Sequence, residues 1–410
     1  MLRNVVIVSD AADAKGGASV AAIQSAVVLA NSGLDVRLFA GTGPFSWPTA
    51  VPDRLKVQTL QDGLNLIKAP VLERATRSLW NKPAAEAFGE LLSDLDPKDT
   101  VVHVHSFQVQ LTSSVVRMAM DRGFPLVVTS HDYGLACPYS GLYDYNRHAP
   151  CGKIPLTMGC ATTLCSESRN IPGKLWHLAK GRVQRDTGRV PSGADHLVFV
   201  SEFSRRLLGR YLPQDVPTSV VRNALDLPKE APRDLRPDAP FLFVGRLTRE
   251  KGPHLFAEAA KKLGVPAVIA GTGPEEDAVR QINPDIEFVG WKAPAEVREL
   301  MRQARALVFP SRCYEGEPLT TQEAMSVGLP VITSDVCAAS AQVEDGVSGR
   351  VFQYDSADDL AEKLAELSDD ARARLMGLAA YERYWANPPT ADAHLESTLD
   401  VYREVLRRRA

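Results

Sequence analysis

ALVFPSRCYEGEPLTTQEAMSVGLPVITSD, residues 306–335, changes its pattern three times. The apolar run 306–310 reads as a short buried strand. The polar stretch 311–317 reads as a loop. Residues 318–328 read as a helix that opens on Pro318 and stops at Gly328. A second apolar run, 330–335, reads as another buried strand. Strand, loop, helix, strand is the unit from which parallel α/β sheets are built. The loop leaves the carboxyl edge of the sheet, where α/β sites form, and delivers Glu315 there. Glu323 follows inside the helix. The helix N-terminus offers free N–H groups and the positive end of a dipole, which favours an anion. Carboxylates beside it can accept hydrogen bonds from sugar hydroxyls. The stretch therefore suits a polyhydroxylated ligand that carries phosphate. Taken alone, the two glutamates read as surface residues of a loop and a helix.

The same alternation runs outward in both directions. Downstream of residue 240 come the strand runs FLFVGR (241–246), PAVIAG (266–271) and IEFVGW (286–291), with a helix over 253–263. Upstream lie NVVIVSD (4–10), VRLFAG (36–41), TVVHVHSF (100–107), PLVVTSHD (125–132) and HLVFVSEF (196–203), with helical patterns between them. The chain is predicted to be α/β, with two Rossmann-like domains facing a central cleft. The N-terminal domain spans 1–227. A linker over 228–240 holds Pro228, Pro232, Pro237 and Pro240. The second domain spans 241–385. Residues 386–410 carry Leu395, Leu399, Tyr402 and Leu406 at helical spacing, an amphipathic helix expected to pack back toward the N-terminal domain.

Composition excludes several classes. With 45% hydrophobic and 24% charged residues the chain reads as globular, not disordered or coiled-coil. A net charge of −3 gives no global electrostatic case for nucleic acid. The charge is uneven: residues 1–230 hold 25 basic and 21 acidic groups, a net of +4, so residues 231–410 carry 22 and 29, a net of −7. The N-terminal half is thus the one suited to an anionic surface. No signal peptide or membrane span is read, so a cytoplasmic protein is expected.

Other residues bring chemistry. GRLTREKG (245–252) places Arg246 and Lys251 after a strand, a fork and a point charge for phosphate oxygens. Gly16 and Gly17 follow the first strand, where glycine lets backbone approach a ligand. GTGPEE (271–276) is not the complete GxGxxG of dinucleotide sites, which weighs against an oxidoreductase. His131 ends PLVVTSH as a site residue or a plain cap. His103 and His105 alternate along one strand and read as a packed sheet face. Cys137, Cys151, Cys160 and Cys165 fall within an insert over 137–165, spaced C-x13-C-x8-C-x4-C. Four thiolates can close a tetrahedral zinc site. Reduced, partly buried thiols are the other reading. Segment 169–190 holds Arg169, Lys174, Lys180, Arg182, Arg185 and Arg189 around Leu175, Trp176 and Leu178. It reads as an ordinary basic helix or as a contact for anionic lipid heads.

In order, GRLTREKG, GTGP, FVGW, FPSRCYEGEPLTTQEAMSVGLPVI and EDGVSGRVF resemble glycosyltransferase family 4, retaining enzymes of GT-B fold. KGGAS, SHDY, VSEFSRR and VVRNALDL resemble that family's N-domain markers, and HDY followed by CP resembles a subset with a cysteine-containing insert. The resemblance implies a nucleotide-sugar donor and site roles. Arg246 and Lys251 would hold the donor diphosphate, and Glu323 the ribose hydroxyls. Glu315 would contact the transferred sugar, with Gly316, Glu317, Pro318 and Leu319 lining sugar or phosphate. Backbone near Val289 would read the base. Gly16 and Gly17 would close on the diphosphate, and His131 would lie near donor sugar and acceptor. The catalytic set is Glu315, His131, Arg246 and Lys251. The family often has Phe-Gly where this chain has Glu317-Pro318, so one N–H donor is lost. No cofactor is expected for the chemistry, and the insert's zinc would be structural. The acceptor would be a glycan, polyprenyl-diphosphate-linked, for surface polysaccharide, with segment 169–190 touching the inner face of the cytoplasmic membrane. A non-catalytic sugar-nucleotide-binding partner is the alternative.

Overall fold

A computed structural model describes residues 2–13, 16–60, 66, 69–166 and 170–409. Lys15 of the glycine loop and Arg169 of the basic segment lie outside them. The chain forms two compact units. Unit 1 comprises 1–141, 152–224 and 389–410; unit 2 comprises 142–151 and 225–388.

Unit 1 begins with β1 (Asn4–Ala11), β2 (Asp35–Thr42), β3 (Leu55–Thr59), β4 (Thr100–Val104) and β5 (Leu126–Ser130). A short antiparallel pair follows, β6 (Tyr143–Asp144) and β7 (Ala149–Pro150), then β8 (His196–Phe199) and β9 (Thr218–Val220). The unit's seven-stranded parallel sheet runs in the order β3-β2-β1-β4-β5-β8-β9. Every residue of β4, β5 and β8 is buried. That is why those runs are apolar throughout and do not alternate: helices cover both faces of a parallel sheet. The C-terminal helix, Ala391–Arg409, belongs to this unit. Its Val401, Tyr402 and Val405 join Val5, Ile7, Ile23 and Val101 in one apolar core.

Unit 2 holds β10 (Phe241–Val244), β11 (Ala267–Ala270), β12 (Glu287–Gly290), β13 (Leu307–Phe309), β14 (Val331–Ser334) and β15 (Gly349–Phe352). They form a parallel sheet in the order β12-β11-β10-β13-β14-β15. Alternate residues of β10 serve opposite faces. Phe241 and Phe243 pack with Leu255 and Phe256, whereas Leu242 packs with Leu307 and Val331. The proline-rich segment has no regular secondary structure over 228–236, yet it is pinned to unit 2. The buried Arg305 donates to Pro237 O at 2.6 Å and Ala239 O at 3.3 Å, and Arg374 donates to Leu235 O at 2.6 Å. The β6–β7 pair comes from the cysteine insert but belongs to unit 2, where Tyr354 donates its hydroxyl to His148 O at 2.8 Å.

Strand order reverses between β1 and β4 in unit 1, and between β10 and β13 in unit 2. Crossovers then leave to opposite sides and open a crevice beyond the carboxyl ends, the place where such sheets bind ligands.

Candidate active site

In unit 2 the crevice is a cavity of about 220 Å³ at the β10/β13 reversal. Its walls include Gly245 and Arg246 after β10, Lys251, Ser311 and Glu315 after β13, and Pro318. Lys251 lies in a single 3-10 turn, Arg249–Lys251. Gly252 ends that turn with φ 71°, and a Cβ there would fall 2.1 Å from Pro310 O. Only glycine lets the turn lie this close to the end of β13.

Loop 311–318 is fixed from several sides. Ser334 donates to Ser311 O at 2.6 Å, and Arg312 N donates to Glu250 O at 2.7 Å. The Arg312 guanidinium, 7% exposed, pairs with Asp355 at 2.8 Å. So held, the loop aims Glu315 at Lys251. The Lys251 ammonium donates to Glu315 Oε1, and Ser311 Oγ donates to the same oxygen at 2.8 Å. Burial alone would push the Lys251 pKa down, but the Glu315 carboxylate beside it carries it above the ordinary lysine value. The ammonium is therefore a fixed cation at neutral pH. Burial pushes the neighbouring Cys313 thiol up to about 12, so it is no nucleophile.

Arg246 is exposed, and among the described residues its guanidinium has no hydrogen-bond or ion-pair partner. Glu323 sits in the helix Leu319–Ser326, half-buried, with no side-chain hydrogen bond among the described residues. Burial raises its pKa, partly offset by Arg298. An unpaired half-buried carboxylate is costly unless a ligand meets it. Pro318 precedes this helix without a side-chain cap, so the free amides begin at Leu319. Glu317 accepts from Gln322 at 3.3 Å. Val289 lies within β12 against the apolar core of the unit. The structure brings Arg246, Lys251, Glu315 and Pro318 together around the cavity; Val289 and Glu323 are not in its walls. Ser311, which the sequence pattern does not single out, holds Glu315. Its only signal is its place at the end of a buried strand.

In unit 1, Gly16 caps the first helix, Gly17–Asn31, through its carbonyl, which accepts from Ser19 Oγ at 2.9 Å. A Cβ at Gly17 would meet nothing within 4 Å, so nothing in the described protein demands a glycine there. His131 stands half-buried at the end of β5, with Nε2 3.0 Å from His105 Nδ1. Burial pushes its pKa down to about 4, so the ring is neutral near pH 7. The adjoining Asp132 is exposed, and its carboxylate accepts from Gly134 N at 2.8 Å. The Asp10 carboxylate accepts from the backbone N–H groups of Val109, Gln110 and Leu111 at 2.7–3.0 Å and fixes the loop after β4.

The cysteine insert does not fit a zinc centre as folded. Cys160 and Cys165 are buried, and the Lys174 ammonium stands 3.7 and 3.3 Å from their sulfurs. A second cation beside them is unfavourable. Among the described residues no three His, Cys, Asp or Glu side chains are gathered to hold a metal ion. The basic segment is also rearranged. Lys174 is 2% exposed, and Lys180 donates to Gln108 O. Arg182, Arg185 and Arg189 remain on the surface, as do Ile171 and Leu175, the last two about 60% exposed.

Known proteins resemble this chain. Residues 16–224 match the family described as "Glycosyl transferase 4-like domain", and residues 231–383 match "Glycosyl transferases group 1". The chain belongs to the glycosyl transferase 4-like family. The fold agrees with this membership and is GT-B. Sucrose-phosphate synthase from Thermosynechococcus elongatus superposes with a TM-score of 0.72 at 18% identity, covering 99% of this chain and 100% of that one. Alpha-maltose-1-phosphate synthase of Mycolicibacterium smegmatis is 31% identical over 249 residues, 52% of this chain and 64% of that protein. The UDP-Gal:alpha-D-GlcNAc-diphosphoundecaprenol alpha-1,3-galactosyltransferase of Escherichia coli is 28% identical over 184 residues, 38% of this chain and 47% of that protein. The match thus spans less than two thirds of either curated relative.

Proposed function

We propose that this glycosyl transferase 4-like protein moves a sugar, with retention, from a UDP- or GDP-type nucleotide sugar to a hydroxyl of a lipid-linked glycan. The observation that carries this is the pairing of a half-buried Lys251–Glu315 contact with an unpartnered Arg246 at the β10/β13 reversal. Departure of a nucleoside diphosphate puts negative charge on a phosphate oxygen. Lys251, Arg246 and the amides from Leu319 onward supply the opposing charge from the chain itself, already oriented before the reaction. Glu323 takes the ribose hydroxyls. Glu315 serves as a sugar-binding carboxylate and not as a covalent nucleophile, because Oε1 is already committed to Lys251 and Ser311. The acceptor oxygen then attacks from the side the leaving group vacates, and the diphosphate oxygen takes its proton.

Linkage tests the donor class. UDP or GDP at 100 times its Kd should stabilise the protein by about 2.7 kcal/mol, and NAD should not. A larger rise in melting temperature with NAD would overturn the proposal.

For the acceptor, support comes from the substrate that the Escherichia coli relative's name gives and from the helix Ile171–Arg182. Ile171 and Leu175 face solvent ahead of Arg182, Arg185 and Arg189, so an apolar wedge precedes a basic stripe. No helix among the described residues is long and apolar enough to cross a membrane, and we assign a peripheral contact at the inner face of the cytoplasmic membrane. Each arginine near an anionic surface is worth about 1 kcal/mol. Changing Arg182, Arg185 and Arg189 to Gln should therefore weaken co-sedimentation with anionic vesicles about 10²-fold at low salt. Equal binding by wild type and variant, with equal transfer to soluble and lipid-linked acceptors, would remove the membrane from the reading.

A further inference from the structure

Behind His131, unit 1 buries a group of histidines that the proposed reaction does not use. His103 in β4 and His105 just after it have ring centroids 4.3 Å apart. His394 reaches them from the C-terminal helix. Two of the three have both ring nitrogens occupied. His103 Nδ1 lies 2.6 Å from the Tyr402 hydroxyl and its Nε2 2.7 Å from Thr129 Oγ1. His394 donates Nδ1–H to Arg222 O at 2.8 Å, since a carbonyl only accepts, so its Nε2 accepts from Ser25 Oγ at 2.7 Å.

His105 is different. Its Nδ1 lies 3.0 Å from His131 Nε2, and its own Nε2 is buried without a partner. His105, Thr398, Asn223 and Tyr402 are among the residues that line a small cavity of about 10 Å³. The other polar groups lining that cavity are His103, Thr129, Asn223, His394, Thr398 and Tyr402, none of them a carboxylate. Both rings are neutral, so one proton lies between the two facing nitrogens, and there are two ways to place it. If His131 donated it, His105 would have to carry its own proton on Nε2, a buried N–H with nothing in the protein to receive it. If His105 donates it, the buried Nε2 keeps only a bare lone pair. Buried N–H groups without an acceptor are the rarer and costlier defect, enough to bias the choice about tenfold or more.

We propose that His105 is a positioning residue for His131. It donates Nδ1–H to His131 Nε2, so that His131 carries its proton on Nδ1 and meets a ligand as an N–H donor rather than as a base. Among the described residues His131 Nδ1 has no partner, and it is the ring nitrogen left for substrate. What it meets rests on the transferase reading above: a substrate oxygen, which accepts. A donor here also agrees with the diphosphate oxygen, and not a histidine, taking the acceptor's proton.

The tautomer can be read without any activity. In the whole protein labelled with 15N-histidine, long-range proton–nitrogen spectra near pH 7.5 should show His131 protonated on Nδ1. An Nε2-protonated His131 in the wild type would overturn the proposal, with no variant needed. Asparagine places an amide N–H near where His105 has Nδ1–H; phenylalanine fills the space without one. His105→Phe should release the His131 tautomer and lower kcat about 10²-fold with little change in donor KM. His105→Asn should keep the tautomer and recover most of the rate. Equal losses in both variants, or an unchanged His131 tautomer in His105→Phe, would also overturn it. If the wild type shows the expected tautomer yet transfers no sugar, the transferase reading fails while the assignment to His105 stands.

Discussion

Lys251→Ala should lower sugar transfer by about 10²–10³-fold, the usual loss when one fixed donor to a developing anion is removed. The same change should also destabilise unit 2, because Glu315 would be left half-buried and short of its cation. Breaking such a pair from one side costs about 3–5 kcal/mol when it is fully buried. These side chains keep 23% and 18% of their exposure, so the cost should be nearer 1–2 kcal/mol after solvent screening. Glu315→Ala should behave alike, since it strands the ammonium. The double variant Lys251→Met, Glu315→Leu separates the two effects. With neither charge left unpaired, its melting temperature should recover toward wild type, while transfer should stay at the level of the single variants. Activity that recovered along with stability would mean that the pair only supports the loop and that the leaving group is stabilised elsewhere. Full activity in either single variant would remove both residues from the site.

The course of the chain toward this site is legible because local signals agree with one another. The run at 306–310 is apolar without alternation, Pro318 cannot continue a strand, and Gly328 stops the helix. Together these place Glu315 at a sheet edge on local pattern alone. Contacts made across long sequence separations are not legible. The charge at Lys174 reads as surface in sequence, yet the side chain turns inward to two thiols. The segment 142–151 comes from the N-terminal half but packs in unit 2, and nothing in LYDYNRHAPC announces this. Tyr402 shows only a helical period; its hydroxyl meets His103, 299 residues earlier. For the same reason His103 and His105 read correctly as a packed face, whereas the link from His105 to His131 depends on the register of β4 against β5.

Acidification should unfold unit 1 well before unit 2. Seven of the eight histidines have pKa values pushed down, in each case chiefly by burial. His103 falls to about 3, and His131, His177 and His254 to about 4. In the unfolded chain each returns to about 6.5. Below that value the unfolded state binds more protons than the folded one, so stability is fully present above pH 6.5 and drains away as pH falls toward 4. Each fully linked histidine contributes about 1.4 kcal/mol per pH unit in that window. Asp10 and Glu323 oppose the trend, because their pKa values are raised and their folded forms gain protons first. They are two against seven. Six of the seven histidines belong to unit 1, and only His254 to unit 2. Calorimetry between pH 8 and 5 should therefore show one transition holding steady down to about pH 6.5, then falling by roughly 10 °C or more by pH 5, on the scale of 2–4 °C per kcal/mol for units of this size. The second transition should move much less. His103→Phe should flatten the pH dependence of the first transition, although losing the Tyr402 and Thr129 contacts will lower its starting temperature. Two transitions that fall together, or a first transition level down to pH 5, would show that these histidines are protonated within the fold at little cost.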